Sequence, residues 1–238
     1  MILDAEHGAL MDRVYRHQRH FYDVTRKLYL AGRDELISQL QPPIGGRVLE
    51  IGCGTGRNLF AAAERYPGAR FYGIDISLEM LATALERAGR NPSGPAIRFA
   101  HADAAHFDPQ ETFGMPDFDR VFISYALSMI PHWREALRRA MAAVAPGGSL
   151  HIVDFGQQER LPAIVRTALL DWLAWFHVKP RASLLRECER VSSELGGELR
   201  FRRLHRGYAW SLRLTMPANS AADRAGTASA GAGTASLD

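Results

Sequence analysis

The pattern of hydrophobic and polar positions changes period several times along the chain. Over residues 9–40, Leu10, Met11, Val14, Tyr15, Phe21, Tyr22, Leu28, Tyr29 and Leu36 fall on one arc when wound at about 100° per residue. Arg13, Arg16, Arg19, His20, Arg26 and Lys27 fall opposite them. The spacing predicts one or two amphipathic helices, ended by Pro42-Pro43 and Gly45-Gly46. From there short apolar runs alternate with helical patterns. Strands are predicted over 47–52, 69–75, 97–102, 119–124 and 149–155. Helices are predicted over 56–66, 77–89 with Ser77 as N-cap, 131–144 with Pro131 in the first turn, 160–178 and 183–195. In the 160–178 helix, the spacing of Trp172 and Trp175 reads as core packing on one face. Pro146-Gly147-Gly148 is predicted to turn the chain before the fifth strand. Two last strands, 199–205 and 208–214, join near Gly207. Strands alternating with helices predict a seven-stranded, mostly parallel sheet with helices on both faces and an antiparallel hairpin at one edge. Ligands in such folds bind at the carboxyl ends of the strands.

Composition narrows this picture. The chain has 238 residues, 47% hydrophobic and 23% charged. That is ordinary globular usage, enough for one core, and it excludes a disordered, collagen-like or acidic-tail protein. No apolar run approaches the roughly 18 residues of a membrane span. Asp4, Glu6 and His7 near the start do not suit a signal peptide. Two cysteines, Cys53 and Cys188, cannot build a disulfide scaffold or a four-cysteine zinc site, and they fit a reducing cytoplasm. Residues 215–238 are rich in Ala, Ser, Gly and Thr and read as a disordered tail. The organisation expected is an N-terminal amphipathic helical cap (1–46), a ligand-binding α/β domain (47–214) and that tail. The net charge of +3 hides two basic blocks, +5 over residues 13–33 and +4 over 181–214, around a body of −6. Such blocks suit an anionic partner, whether membrane surface, nucleic acid or acidic substrate, or form a solvated face.

The chemistry starts at Glu50-Ile-Gly-Cys-Gly-Thr-Gly56, between the first strand and its helix. Glycines at 52, 54 and 56 allow a tight turn and close approach of a ligand to the backbone, and the helix that follows offers free N–H groups. A dinucleotide fingerprint of the G-x-G-x-x-G type needs glycine at 57, where Arg57 stands. The next stations lie at strand ends. Asp75-Ile76 ends the second strand, where a carboxylate can accept both hydroxyl protons of a ribose. Asp103-Ala104 follows the third strand, and Ser124-Tyr125 ends the fourth. Each strand-end acid taken alone also reads as a helix cap. The loop and the ordered stations resemble the class I, Rossmann-like S-adenosylmethionine-dependent methyltransferases. That resemblance implies donor binding by Glu50, Gly52, Cys53, Gly54, Gly56, Asn58, Asp75, Ile76, Asp103, Ala104 and Ser124, with Asp103-Ala104 at the adenine.

Longer strings extend the likeness. Arg16-His-Gln-Arg-His-Phe-Tyr-Asp-Val-Thr-Arg-Lys-Leu-Tyr-Leu-Ala-Gly-Arg-Asp34, Arg57-Asn58, Val121–Pro131, His151–Gly156 and Arg206–Trp210 resemble the bacterial betaine-lipid N-methyltransferases, which trimethylate the amine of diacylglyceryl-homoserine. The resemblance runs from about Met11 to Leu214. It implies a lipid-headgroup substrate, peripheral attachment to the anionic inner face of the membrane, and no resident metal or nucleic-acid partner.

Methyl transfer from a sulfonium is an in-line displacement, so the protein chiefly aligns and desolvates the reactants. An amine acceptor needs a lone pair and no strong base. Candidate bases are Tyr125, His132, Asp154, His20 and His106. A methylated ammonium product suits aromatic faces, with Tyr22, Tyr125, Trp133, Tyr208 and Trp210 available. Tyr125, Tyr22 and His132 are the acceptor-side candidates. Arg26 or Arg33 can pair with a carboxylate of donor or acceptor. His17 and His20 lack the further ligands of a metal site, and Cys53 reads as a small packing residue. The alternatives are a class I methyltransferase of a soluble small molecule or RNA, a non-catalytic S-adenosylmethionine binder, and a nicotinamide dehydrogenase.

Overall fold

The structure, a computed structural model, describes residues 31–90, 96–175 and 178–218. Residues 1–30, with most of the expected cap, and the tail beyond 218 lie outside the described residues. In chain order the elements are α1 (Arg33–Gln39), β1 (Arg47–Ile51), α2 (Arg57–Arg65), β2 (Arg70–Asp75), α3 (Leu78–Gly89), β3 (Ile97–His101), α4 (Pro109–Phe113), β4 (Phe118–Ser124), α5 (Trp133–Ala142), β5 (Val144–Phe155), α6 (Ala163–Trp175), α7 (Leu184–Glu194), β6 (Glu198–Leu204) and β7 (Ala209–Thr215).

The seven strands form one sheet in the order β3-β2-β1-β4-β5-β7-β6. Strands β1 to β5 pair in parallel, and β7 runs antiparallel to both β5 and β6. This is the mostly parallel sheet with an antiparallel edge hairpin that the pattern predicts. Alternate residues serve two cores, because side chains of a strand point to opposite faces. Leu49, Ile51, Ile74, Val121, Ile123, Leu150 and Ile152 pack beneath α5 and α7, through Trp133, Leu137, Met141, Leu184 and Cys188. Val48, Phe71, Phe122, Val153 and Phe155 pack on the other face against Leu36, Ile37 and Leu40 of α1, Leu59 and Ala62 of α2, and Leu173 of α6. Helix α1 therefore lies on the sheet itself. Arg120 reaches across from β4 and donates through Nε to the carbonyl of Leu40 (2.6 Å) and through Nη2 to that of Gln41 (3.0 Å). These bonds close the carboxyl end of α1, where backbone acceptors lack partners.

Four details differ from the sequence pattern. Asp108-Pro109 starts a short helix, α4, with Asp108 Oδ1 accepting the N–H groups of Gln110 and Glu111. Pro146-Gly147-Gly148 lies inside β5: Val144 pairs with Phe118, then two steps along β4 correspond to five along β5 before Ser149 pairs with Arg120. Gly147 has φ 74°, which glycine adopts without penalty and which lets the strand bulge and resume. The fifth helix begins at Trp133 with His132 as its N-cap, so Pro131 precedes the helix. Trp175 is 77% exposed. Trp172 meets the core, whereas Trp175 is the last residue of the helix and lies past the core's edge.

Candidate functional site

In an open parallel sheet the crevice forms where strand order reverses. Here β2 and β3 lie to one side of β1, and β4 and β5 to the other. The register aligns Ile51 with Ile74 on β2 and with Ile123 on β4. One residue further along each strand stand Asp75, Gly52 and Ser124, level with one another across the carboxyl ends.

Gly52, Gly54 and Gly56 take φ of 70°, 54° and 71°, the left-handed region closed to most side chains. A Cβ on Gly52 would lie 2.7 Å from that of Ala126, and one on Gly56 would lie 2.9 Å from the Phe99 ring. A Cβ on Gly54 would meet nothing within 4 Å. The loop thus packs through its outer glycines and leaves open space over its centre. The N–H of Gly54 donates to Asp75 Oδ2 (2.7 Å), and the N–H of Ser77 donates to Oδ1 (2.9 Å). A carboxylate oriented by two backbone donors stands at the loop's edge, half-buried. Ile76 beside it is also half-buried, and its carbonyl lies 3.0 Å from His101 Nε2. Beneath the loop, Glu50 is fully buried, and Asn58 Nδ2 donates to its Oε1 at 2.6 Å. This bond ties the end of β1 to the first turn of α2. Cys53 is buried, and desolvation, with the Asp75 and Glu50 charges, holds its thiol well above the usual range. It is a packing group, not a nucleophile.

The third station is built differently. Asp103 Oδ1 accepts the N–H of Ala105 (2.9 Å), and Oδ2 lies 3.0 Å from His106 Nδ1. Its carboxylate braces the turn that follows β3, with Ala104 buried behind it. Ser124 Oγ, by contrast, is buried without a hydrogen-bond partner. A buried hydroxyl left unmatched is uncommon, and it stands at the end of β4 level with Gly52.

Beyond β4 the chain makes an abrupt turn. Tyr125 has φ 54°, a conformation that costs a non-glycine residue about 1–2 kcal/mol. Its hydroxyl donates to the carbonyl of Ala31 at 2.6 Å, and its ring meets Phe155 edge-on, centroids 4.7 Å apart. Phe155 in turn meets Tyr208 at 5.7 Å. Burial pushes the Tyr125 hydroxyl pKa up, so it serves as a donor, not a base. The loop after Tyr125 is pinned from two sides. Asp154 accepts the N–H of Ser128 (3.0 Å) and that of Phe155 (2.7 Å). Arg181 donates to the carbonyls of Leu127 (2.9 Å) and Ile130 (2.6 Å). Burial raises the Asp154 pKa to about 6, although its hydrogen bonds and Arg181 oppose the shift.

The structure therefore brings together Glu50, Gly52, Cys53, Gly54, Gly56, Asn58, Asp75, Ile76, Ser124 and Tyr125. Asp103 and Ala104 stand at the neighbouring strand end. His132 sits exposed at the amino end of α5, making no capping bond. Trp133 and Trp210 belong to the core under α5 and α7. Tyr22, Arg26 and His20 lie outside the described residues. Phe155, Ala31 and Arg181 were not apparent as site residues from the sequence. Among the described residues no group of three or more His, Cys, Asp or Glu side chains is placed to hold a metal ion.

Residues 48–148 match the family described as the methyltransferase domain. A trans-aconitate 2-methyltransferase of Variovorax paradoxus is 36% identical over 118 residues, covering 50% of this chain and 42% of that protein. A ubiquinone/menaquinone biosynthesis C-methyltransferase of Bartonella henselae is 28% identical over 196 residues, covering 76% of this chain and 70% of that protein. The chain thus spans less than half the length of the trans-aconitate enzyme that it matches. Among solved structures, Haemonchus contortus phosphoethanolamine N-methyltransferase 2 with S-adenosylmethionine superposes with a TM-score of 0.62 at 18% identity, over 79% of this chain and 52% of that one. An S-adenosylmethionine-dependent methyltransferase from Aquifex aeolicus gives 0.60 at 16% identity, over 84% and 97%. The chain has the Rossmann-like methyltransferase fold, and within it residues 48–148 match the methyltransferase domain.

Proposed function

We propose that this chain transfers a methyl group from S-adenosylmethionine to a small-molecule acceptor. The observation that carries the reading is the level row Asp75, Gly52, Ser124 beside the open space over Gly54. Those groups fit the donor. A carboxylate at a strand end suits a ribose diol, and a loop of left-handed glycines admits the donor's chain against the backbone. Glu50, Cys53, Gly56 and Asn58 hold the loop in place from below. Asp103, Ala104 and Ile76 flank the adenine side. Ser124 supplies a hydroxyl toward the donor's methionine end. Arg26 joins this set from sequence alone.

When bound, the sulfonium supplies an activated methyl. The residues of the chain align the acceptor and exclude water. Tyr125, Phe155 and Tyr208 form an aromatic wall beyond β4 and β5, and Asp154 and Arg181 fix the loop that carries Tyr125. Tyr22 and His132 are proposed as acceptor-side groups, His132 from an exposed position at the mouth. The names of the sequence relatives support an acceptor such as a small acid or a quinone precursor over the amino group of diacylglyceryl-homoserine. The N-methylation of that lipid is the second reading. It draws on the aromatic wall, because ring faces bind methylated ammonium groups without hydrogen bonds.

Calorimetry and a labelling assay test both. S-adenosylhomocysteine is expected to bind, and NAD is expected not to. With radiolabelled methyl donor, label entering a soluble metabolite fraction supports the first reading and label entering an aminolipid supports the second. Absence of S-adenosylhomocysteine binding would overturn the donor assignment.

A further inference from the structure

We infer that Arg206, on the turn between β6 and β7, determines specificity by binding a carboxylate of the methyl acceptor. The inference rests on the proposed methyl transfer and adds a recognition group to that site. His205, Arg206 and Gly207 take successive φ of 44°, 59° and 88°. Glycine adopts the left-handed region freely, whereas a residue with a side chain is strained there. Glycine at 206 would relieve the turn, and the arginine in its place does not anchor it. Its side chain is exposed, and among the described residues its guanidinium makes no hydrogen bond or ion pair. Only its backbone is held, the carbonyl accepting the N–H of Arg160 at 3.2 Å. Among the described residues, five other than glycine have positive φ. Four of them, Tyr125, Gln158, His205 and Arg206, follow the carboxyl ends of β4, β5 and β6. Strain gathered at one end of a sheet marks a place where function retains it.

The turn belongs to the same end of the molecule as the donor loop. Strand β6 runs parallel to β5, each being antiparallel to β7, so the β6–β7 turn lies at the carboxyl end of the sheet. The N–H of Gln158 donates to the carbonyl of Gly207 (3.1 Å), and that of Gly156 to the carbonyl of Tyr208 (2.9 Å). Tyr208 continues through Phe155 to Tyr125 in the aromatic wall. Strand β7 is two places from β4 and strands lie about 4.8 Å apart, so the turn stands about 10 Å from Tyr125. That is within the length of a small molecule or a lipid headgroup. The charges around the turn select an anion. Glu159, beside Gly207, already accepts the Nε1–H of Trp210 (3.0 Å) and lies 3.6 Å from Arg203 Nε. Arg160 and Arg206 add two positive charges that no carboxylate pairs with among the described residues. Gln157, next along β5's exit, has a buried Nε2 without an acceptor, an uncommon state for a donor. A guanidinium presents parallel N–H groups that match the two oxygens of a carboxylate.

The test gives the full chain radiolabelled S-adenosylmethionine and a cell extract split into soluble and lipid fractions. Each fraction is used untreated and after carbodiimide and methylamine have converted its carboxylates to amides. Label is expected to enter an untreated fraction and to fall at least about tenfold after conversion. The fraction that takes label tells a free acid from a headgroup carboxylate. Arg206→Gln and Arg206→Gly are each expected to lose at least about tenfold in rate on the untreated fraction, with unchanged affinity for S-adenosylhomocysteine. On the converted fraction both are expected to match the wild type, a result that a merely structural arginine would not give. Arg206→Lys, which keeps the charge without the fork, is expected to retain part of the rate. Arg206→Gly is also expected to melt above the wild type, because it relieves the strained turn. The inference is overturned if both variants match the wild type on the untreated fraction. It is equally overturned if they lose the same factor on both fractions, or if Arg206→Gly melts below the wild type. Label entering neither fraction would instead overturn the methyl-transfer reading, and this inference with it.

Discussion

Replacing Asp75 by alanine removes the acceptor of two backbone donors, the N–H groups of Gly54 and Ser77. It also removes the proposed holder of two ribose hydroxyls. Hydrogen bonds to a charged group contribute about 1.5–3 kcal/mol each, so calorimetry with S-adenosylhomocysteine should read at least about a tenfold loss of affinity. Wild-type affinity in that variant would remove Asp75 from the donor site. Tyr125 separates two roles in one side chain. Tyr125→Phe keeps the ring against Phe155 and loses the bond to Ala31. Tyr125→Ala loses both. If the ring shapes the acceptor site, the alanine variant loses turnover well beyond its loss of donor affinity, and the phenylalanine variant retains most of its rate. Equal rates in the two variants and the wild type would place the acceptor elsewhere. The glycine loop and Asp75 are legible in the sequence because local conformation fixes them: left-handed turns demand glycine, and a strand end exposes the next side chain. The Tyr125–Ala31 bond spans 94 positions, and no local pattern announces it. The same holds for Arg181, whose two carbonyl partners come from a loop more than 50 positions earlier.

Ser77 carries the start of α3. Its hydroxyl accepts the N–H of Met80 at 3.3 Å, and the residue is fully buried. Ser77→Ala is expected to lower stability by about 1 kcal/mol, the usual worth of an N-cap, and thermal unfolding followed by circular dichroism measures it. An unchanged melting temperature would show that the cap contributes nothing here. The element order was largely readable, since apolar runs of strand length alternate with amphipathic helical stretches and Pro-Gly pairs punctuate them. Helix α4 escaped because five residues make little more than one turn, too short for any periodicity. Its signal was the Asp108-Pro109 pair, a capping side chain followed by a residue suited to the first turn. Trp175 was misread for a different reason. Periodicity says which residues share a face, but not where along the helix the core ends.

At the scale of the molecule, buried titratable groups set how stability follows pH. His151 lies on β5 with its Nε2 2.9 Å from Ser149 Oγ, between Arg120 on β4 and Arg213 on β7. Desolvation, reinforced by the two guanidinium charges, lowers its pKa to about 3. The unfolded ring titrates near about 6.5. Between those values the unfolded chain binds the extra proton, so stability falls as pH drops through that window, by at most about 1.4 kcal/mol per pH unit. Asp154 acts in the opposite sense. Its folded carboxyl holds a proton up to about 6, so its contribution is complete below the ordinary carboxylate range and is lost as pH rises through 6. Urea unfolding across that range should show a shallower acid limb for His151→Gln than for the wild type. An identical limb would mean that the ring is protonated in the fold. The two outermost strands, β3 and β6, bear on the company the molecule keeps. Four of the seven β6 residues are charged, Glu198, Arg200, Arg202 and Arg203, and β3 bears Arg98 and His101. A strand from another copy would have to align beside these charges and strip them of water, so sheet-to-sheet extension into fibres is disfavoured at both margins. Crowding this protein therefore brings helices, not strands, into contact.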